Sequence, residues 1–271
     1  ICPFTTDRIP DLLPTEAFDT EAELVVCGEV AGPGNPYLEA SPPQVREDVA
    51  LFVFDLMRAN RPGFMDVEAK RRRVARYRLP GTEDFGRFSS APADRAALRA
   101  VLERLDAEGR EGVVLKDTDR PEKRVKYVTG RANIQDIAVA AANMAELPAD
   151  YFTARVQRLA LFLMDQGRSR SAELDREVGR AFLDGLEGAV RQFLAERHVG
   201  RPYRCRFRER ANAEAFRDHL GALSEAGVQA RLLGLEREAG SGYWVLRFER
   251  IAPGITGMLG HLISGGIFYD P

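Results

Sequence analysis

The chain has 271 residues, of which 45% are hydrophobic and 30% charged, and a formal net charge of −2. Such a length carries two or three domains with cores of their own, and the composition is that of an ordinary globular chain. There is no global basic field, so nucleic-acid binding must come from a local patch, and no apolar run is long enough to cross a bilayer.

Cys2, Cys27 and Cys205 are too few and too scattered for a disulfide framework, and they form no CxxC pair for zinc. A reducing, cytoplasmic setting is therefore expected. His198, His219 and His261 stand alone and read as surface or cap residues rather than ligands. The chain opens Ile1-Cys2-Pro3-Phe4, with neither a basic leader nor a signal-like apolar core, and is expected to be part of a longer product.

Residues 1–22 are proline-rich and read as irregular, with Leu12 and Leu13 as core contributors. Residues 23–30, ELVVCGEV, read as a strand, and 31–37, AGPGNPY, as a loop that either edges a nucleotide site at Glu29 or simply connects. A second strand covers 51–56, LFVFDL. Strict alternation puts Phe52 and Phe54 on one face, Val53 and Asp55 on the other. Paired phenylalanines are ordinary core, or, facing a cleft, a platform for a base. Residues 66–77 form a basic helix with Lys70, Arg71, Arg72, Arg73 and Arg76, either a solvated face or an RNA contact. Asp94 is expected to cap a helix bearing Leu98, Val101, Leu102 and Leu105 and ending near Gly109.

Residues 111–129 hold the most informative composition. Of 39 basic residues only Lys70, Lys116, Lys123 and Lys126 are lysines, and three of the four lie in this stretch. Ammonium and guanidinium are not interchangeable at a small-anion site, so the cluster reads as a phosphate site. Residues 111–115 and 125–129 read as paired strands, with 117–122, including Pro121, as the turn.

Beyond residue 132 the chain turns helical, over 134–146 with a stop at Pro148, over 150–166, and over 171–198 between Ser171 and Gly200. Val156, Leu159, Leu163 and Met164 make one apolar stripe, and Leu174, Val178, Phe182, Leu186, Val190 and Phe193 another. Such faces suggest a bundle partly covered by another subunit. The last segment alternates Tyr203, Cys205 and Phe207 with Arg204, Arg206 and Arg208, continues as a helix over 213–226, and then forms a hairpin of 228–235 with 243–250 turned at 240–242. Its arginines either meet phosphates or pair with Glu236, Glu238 and Glu249. A glycine-rich, mildly amphipathic tail over 254–270 closes an α+β chain.

Four stretches stand in fixed order: VVCGEVAGPGNPY at 25–37, LFVFDL at 51–56, EGVVLK at 111–116 and RVKYVT at 124–129. Together they resemble the later motifs of the covalent nucleotidyltransferases, and most closely the homodimeric archaeal-type ATP-dependent RNA ligases. The resemblance implies part of an adenylation domain, of the ATP-grasp-like ligase kind, over 1–130, a helical dimerisation domain over 131–199 and a small α+β domain over 200–271. It implies that Glu29 lies by ribose and metal, that Phe54 or Phe52 stacks on adenine, that Glu111 helps hold the metal, and that Lys116 and Lys126 contact the α-phosphate. Where the family has Lys-x-Lys this chain has Arg124, preceded by Lys123, and either could reach the phosphate. The implied cofactors are ATP as AMP donor and Mg²⁺ or Mn²⁺. The implied partners are RNA with 5′-phosphate and 3′-hydroxyl ends and a second copy of the chain through 131–199. The family's Lys-x-Asp-Gly nucleophile motif occurs nowhere in residues 1–271. It is expected to precede Ile1, and these residues alone are expected to form no lysyl-AMP adduct. A non-catalytic dimeric nucleic-acid-binding module, or a related DNA ligase or guanylyltransferase, are the alternatives.

Overall fold

The computed structural model describes residues 2–38, 41–120, 122–144, 149–225, 229–251, 258–263 and 265–266. Three small antiparallel sheets follow one another along the chain. In the first, β1 (Leu24–Ala31), β2 (Ala50–Arg58) and β3 (Arg61–Phe64) lie in that order. Leu24, Leu51, Val53 and Leu56 are buried there with Leu13, Ala17 and Leu79. Helix α3 (Val67–Arg76) follows, capped by Asp66, which accepts from the Ala69 amide at 2.8 Å. Two of its arginines are paired, Arg71 with Glu68 and Asp84, and Arg73 with Glu21.

Helix α4 (Pro92–Ala107) leads into the second sheet, the hairpin β4 (Gly112–Lys116) and β5 (Arg124–Val128). Asp94 is not its cap. It lies in the first turn and accepts from the Ser89 amide at 2.8 Å, tying down the entering chain. Pro92 supplies the helix start instead, because a missing N–H costs nothing there.

Three helices follow: α5 (Gly130–Ala142), capped by Thr129, α6 (Ala149–Asp165) and α7 (Ala172–Glu196). Ile137 of α5 is buried with Leu159 and Phe162 of α6, and Met144 with Ala189 of α7. Ser171 caps α7 as expected, accepting from the Leu174 amide at 3.1 Å. Its end is not at Gly200. Arg197 takes the left-handed conformation (φ 61°) and donates to the Phe193 carbonyl at 2.8 Å, closing the last turn. The stripe on α6 is only partly buried, since Met164 is 76% exposed.

The third sheet has the order β6 (Gly200–Phe207), β8 (Trp244–Ile251), β7 (Gln229–Arg237), with α8 (Arg210–Glu225) packed on it and α9 (Met258–Ile263) beyond. The alternating arginines pair with carboxylates: Arg204 and Arg206 with Glu238, Arg206 also with Asp48, and Arg208 just beyond the strand with Asp11, while Arg201 donates to the Asn143 side chain. The expected contributions of Pro121, Glu146, Pro148, Ala226 and Val228, and most of the 254–270 tail, lie outside the described residues.

Residues 1–22 are not irregular. They hold α1 (Pro3–Leu12) and α2 (Glu16–Thr20), and Phe4 and Ala17 join the core. Local composition argues against a helix, but Phe4 packs edge-on to Phe207 with centroids 5.6 Å apart and also against Phe216. Full burial of such a ring is worth about 1.5–3 kcal/mol, enough to outweigh weak propensity. The neighbouring polar groups of α1 are satisfied by the third sheet as well. Buried Asp7 accepts from the Arg208 and Glu209 amides and from Asn212 Nδ2, so it caps α8 from across the chain. Buried Arg8 pairs with Asp11 and Asp48 and lies 4.8 Å over the Tyr243 ring.

The loop after β1 belongs to this junction. Asn35 ties back to the Val30 carbonyl at 2.5 Å, and Tyr37 packs against Phe216 at 6.3 Å. Gly32 adopts φ 137°, and a Cβ there would run into the Asp48 carbonyl, so no side chain fits. The loop at 31–37 thus connects the first sheet to this junction. Replacing Asp7 by Ala leaves the Arg208 and Glu209 amides at the entry to α8 unpaired and should lower stability by about 2–3 kcal/mol in urea unfolding.

Candidate functional site

The site begins with a fault in the first sheet. Cys27 lies opposite Asp55 and Gly28 opposite Val53, so Phe54 has no partner on β1. One extra residue on β2 is a bulge, and it reverses the alternation of faces beyond it. Leu51, Val53 and Leu56 therefore all reach one core, which strict alternation forbids. Asp55 is turned away from Val53, contrary to the expectation that the two share a face, and meets the second sheet. Phe54, the bulged residue, is left 40% exposed.

The hairpin supplies the cations. Lys116 lies opposite Arg124 and Val114 opposite Lys126. Residues two apart on a strand share a face, so Lys116, Arg124 and Lys126 line one side of the hairpin around exposed Val114. Lys123 precedes β5 and is bound into the turn, its amide donating to the Arg120 carbonyl at 2.8 Å. Like charges placed directly opposite disfavour each other. Here both stand over the Phe64 ring, Lys116 at 5.6 Å and Arg124 at 5.2 Å from its centroid. Gly112 begins the hairpin at φ 147°, where a Cβ would run into the Tyr127 carbonyl, so the residue after Glu111 must be glycine.

Lys116 joins the two sheets. Its ammonium pairs with the Asp55 carboxylate and donates to the Phe54 carbonyl at 3.1 Å. It also lies 6.0 Å from the Phe54 ring. Lys70 reaches the same carbonyl from α3 at 3.4 Å. Burial, and then the neighbouring Lys116 ammonium, lower the Lys70 pKa. Burial, and then the Asp55 carboxylate, raise that of the Cys27 thiol. Around Phe54 the cations Lys70, Lys116 and Arg124 face Asp55, an excess of positive charge beside an exposed aromatic ring. Such a place suits an anion carrying a flat ring.

The expected residues are thus brought together in part. Lys116 touches Phe54 and lies opposite Arg124, which stands over Phe64, and Lys126 pairs with Glu111 at the other end of the hairpin. Phe52 is half-buried opposite Glu29 on the neighbouring strand. The exposed Glu29 carboxylate makes no ion pair or side-chain hydrogen bond with the described residues and is not drawn into the Lys116 cluster. Asp55, Lys70 and Phe64 are site residues that the sequence reading did not select. Two of them carried a signal: Asp55 is the one charge in LFVFDL, and Lys70 is one of four lysines. Asp55→Ala leaves the Lys116 ammonium, only 16% exposed, without its counter-charge. It should cost about 2–4 kcal/mol of stability by denaturant unfolding, and Asp55→Leu combined with Lys116→Met should recover most of the loss.

Residues 4–128 match the family model "RNA ligase", and residues 139–266 match the model "Ligase Pab1020 C-terminal region". The structure is similar to a chain from Aquifex aeolicus described provisionally as an ATP-dependent DNA ligase, with 45% identity and TM-score 0.87, over 99% of this chain and 73% of that one. It is similar to an archaeal ATP-dependent RNA ligase in two forms, each 28% identical, with TM-scores of 0.81 and 0.77 over 99% and 98% of this chain and 69% of theirs. An uncharacterised protein of Methanocaldococcus jannaschii is 25% identical over 225 residues, 81% of this chain. The chain spans 57% of the length of that curated relative. With both of its segments matched and its fold shared almost end to end, the chain belongs to the archaeal-type ATP-dependent RNA ligase family.

Proposed function

We propose that the protein joins RNA 5′-phosphate and 3′-hydroxyl ends at the expense of ATP, through lysyl-AMP and RNA-adenylate intermediates. The observation that carries this reading is the hairpin face on which Lys116, Arg124 and Lys126 stand together, with Lys116 fixed beside exposed Phe54. Phe54 stacks on adenine. Lys116 and Lys126 contact the α-phosphate, and Arg124 rather than Lys123 is the third cation, because it shares their face. Each step is an in-line displacement at phosphorus, in which catalysis is mostly positioning and neutralisation of charge. In the last step the RNA 3′-oxygen attacks the 5′-phosphorus, the bond to AMP breaks, and AMP leaves with its phosphate. Residues 1–271 contain no Lys-x-Asp-Gly motif, so the roles assigned here are binding, orientation and charge compensation.

Glu29 and Glu111 are exposed carboxylates, hard oxygen donors that fit Mg²⁺ or Mn²⁺ held largely through water and nucleotide phosphates. When bound, that ion adds positive charge at the reacting phosphate. Lys126 and Glu111 are 56% and 65% exposed, so their pair contributes little to stability and can open to admit a ligand. Lys126→Ala should change unfolding stability by less than about 1 kcal/mol. If its contact is made in the transition state, the joining rate should fall by about 10²–10³-fold.

RNA carrying a preformed 5′-adenylate bypasses the nucleophile and is the most direct substrate for measuring that rate. The protein should join it to a 3′-hydroxyl with release of AMP. Absence of joining, with AMP still bound, would leave a nucleotide-binding module in place of a ligase. The description of the Aquifex aeolicus relative makes DNA the comparison acceptor, and faster joining of adenylated DNA would move the reading to that acceptor.

The helices complete the proposal. Leu161 and Met164 on α6, and Leu183 and Leu194 on α7, are exposed large apolar side chains. Leu183 and Leu194 lie close to one line along the helix, since eleven residues make just over three whole turns. A second copy of the chain covers these faces. Sedimentation equilibrium should show a dimer, and Leu161→Glu with Leu183→Glu should shift it to monomer without unfolding.

A further inference from the structure

We infer a second metal site, for a divalent transition-metal ion of which zinc is the best match, formed by Glu196, His198 and Glu249 where α7 meets the third sheet. One ligand atom from each of the three lies within 4.8 Å of the others. Glu196 ends α7, His198 follows the left-handed Arg197, and Glu249 projects from β8. The group is separate from the hairpin and from Phe54, and does not depend on the ligase reading.

The hydrogen bonding of the imidazole is what points to a cation. His198 Nδ1 lies 3.0 Å from the Glu196 carbonyl oxygen and donates its proton there. In the neutral ring the lone pair is then on Nε2. That atom is buried and has no hydrogen-bond partner. It stands 3.2 Å from Glu196 Oε2 and 3.9 Å from Glu249 Oε1. Three electron-rich atoms facing one another repel unless a positive charge lies among them.

A metal ion supplies that charge, and the surroundings are those of a ligating histidine. A backbone carbonyl that accepts from the far ring nitrogen orients the imidazole and fixes its tautomer. Arg231 holds the other oxygen of Glu249, leaving Oε1 for the site. Gly200 clears the space, since a Cβ there would collide with the Glu249 carboxylate. One imidazole with two carboxylates, plus water in the remaining position, is a donor set that suits zinc. The ion would fasten the end of α7 to β8, so its role is structural.

The alternative is an imidazolium that carries its own proton on Nε2 and pairs with both carboxylates. Tag-free protein in excess Mg²⁺, titrated with Zn²⁺ by calorimetry, separates the two. One Zn²⁺ should bind per chain. His198→Gln and Glu249→Gln should each weaken it at least about tenfold. Zn²⁺ should raise the Tm of the wild type more than that of either variant. Because a variant could be misfolded, Co²⁺ absorption of the wild type gives a second measure, with d–d bands and no thiolate charge-transfer band. Failure to take up Zn²⁺, equal uptake by wild type and His198→Gln, or a thiolate band from Co²⁺ would each overturn the site.

Discussion

The ion pair of Lys116 with Asp55 is the contact on which the arrangement of the proposed nucleotide site depends. It runs between two sheets that share no backbone hydrogen bonds, and it is the reason that an ammonium stands beside Phe54. A pair so well buried, 16% and 3% exposed, recovers little net stability after desolvation. Its contribution is geometric. Asp55 fixes the position of the ammonium, while the bulge at Phe54 turns Asp55 toward it and leaves the aromatic ring open. Remove the bulge and the carboxylate returns to the side of Val53, among apolar neighbours.

The two lysines of the hairpin consequently differ in kind. Lys116 is anchored by a carboxylate and a carbonyl, a charge held in place before any ligand is bound. Lys126 is paired only with exposed Glu111, a contact that solvent weakens and an entering anion or cation can divide. The single hairpin therefore combines a fixed positive group with an adaptable acid–base pair. Gly112 makes this possible by bringing Glu111 and the β5 backbone closer than any side chain would allow.

Support for that site comes from the far end of the chain. Helix α1 contributes Phe4, Asp7 and Arg8 to the third sheet, and the loop after β1 contributes Tyr37 to the same contact. Arg8 and Arg206 both hold Asp48, just before β2. The first sheet thus rests on the last one through charges that the sequence scatters widely. Arg206 and Arg208 belong to that junction through Asp48 and Asp11, while Arg204 and Arg206 hold Glu238.

What the sequence alone determined is what neighbours within a few residues encode. The hairpin at 111–129, the strand ELVVCGEV, the capped α7 and the ammonium groups of the hairpin were all legible, because period-two alternation, turn residues and a lysine count are local properties. The face of Asp55 was not legible, since a bulge is defined by the register of a partner strand. Nor was α1, whose weak helical signal is overridden by burial of Phe4 against residues from the other end of the chain. His198 looked solitary for the same reason: Glu249 reaches it only once β8 is laid beside β6. Side chains distant in sequence acquire partners through folding, and a buried charge or lone pair takes its meaning from the partner it finds.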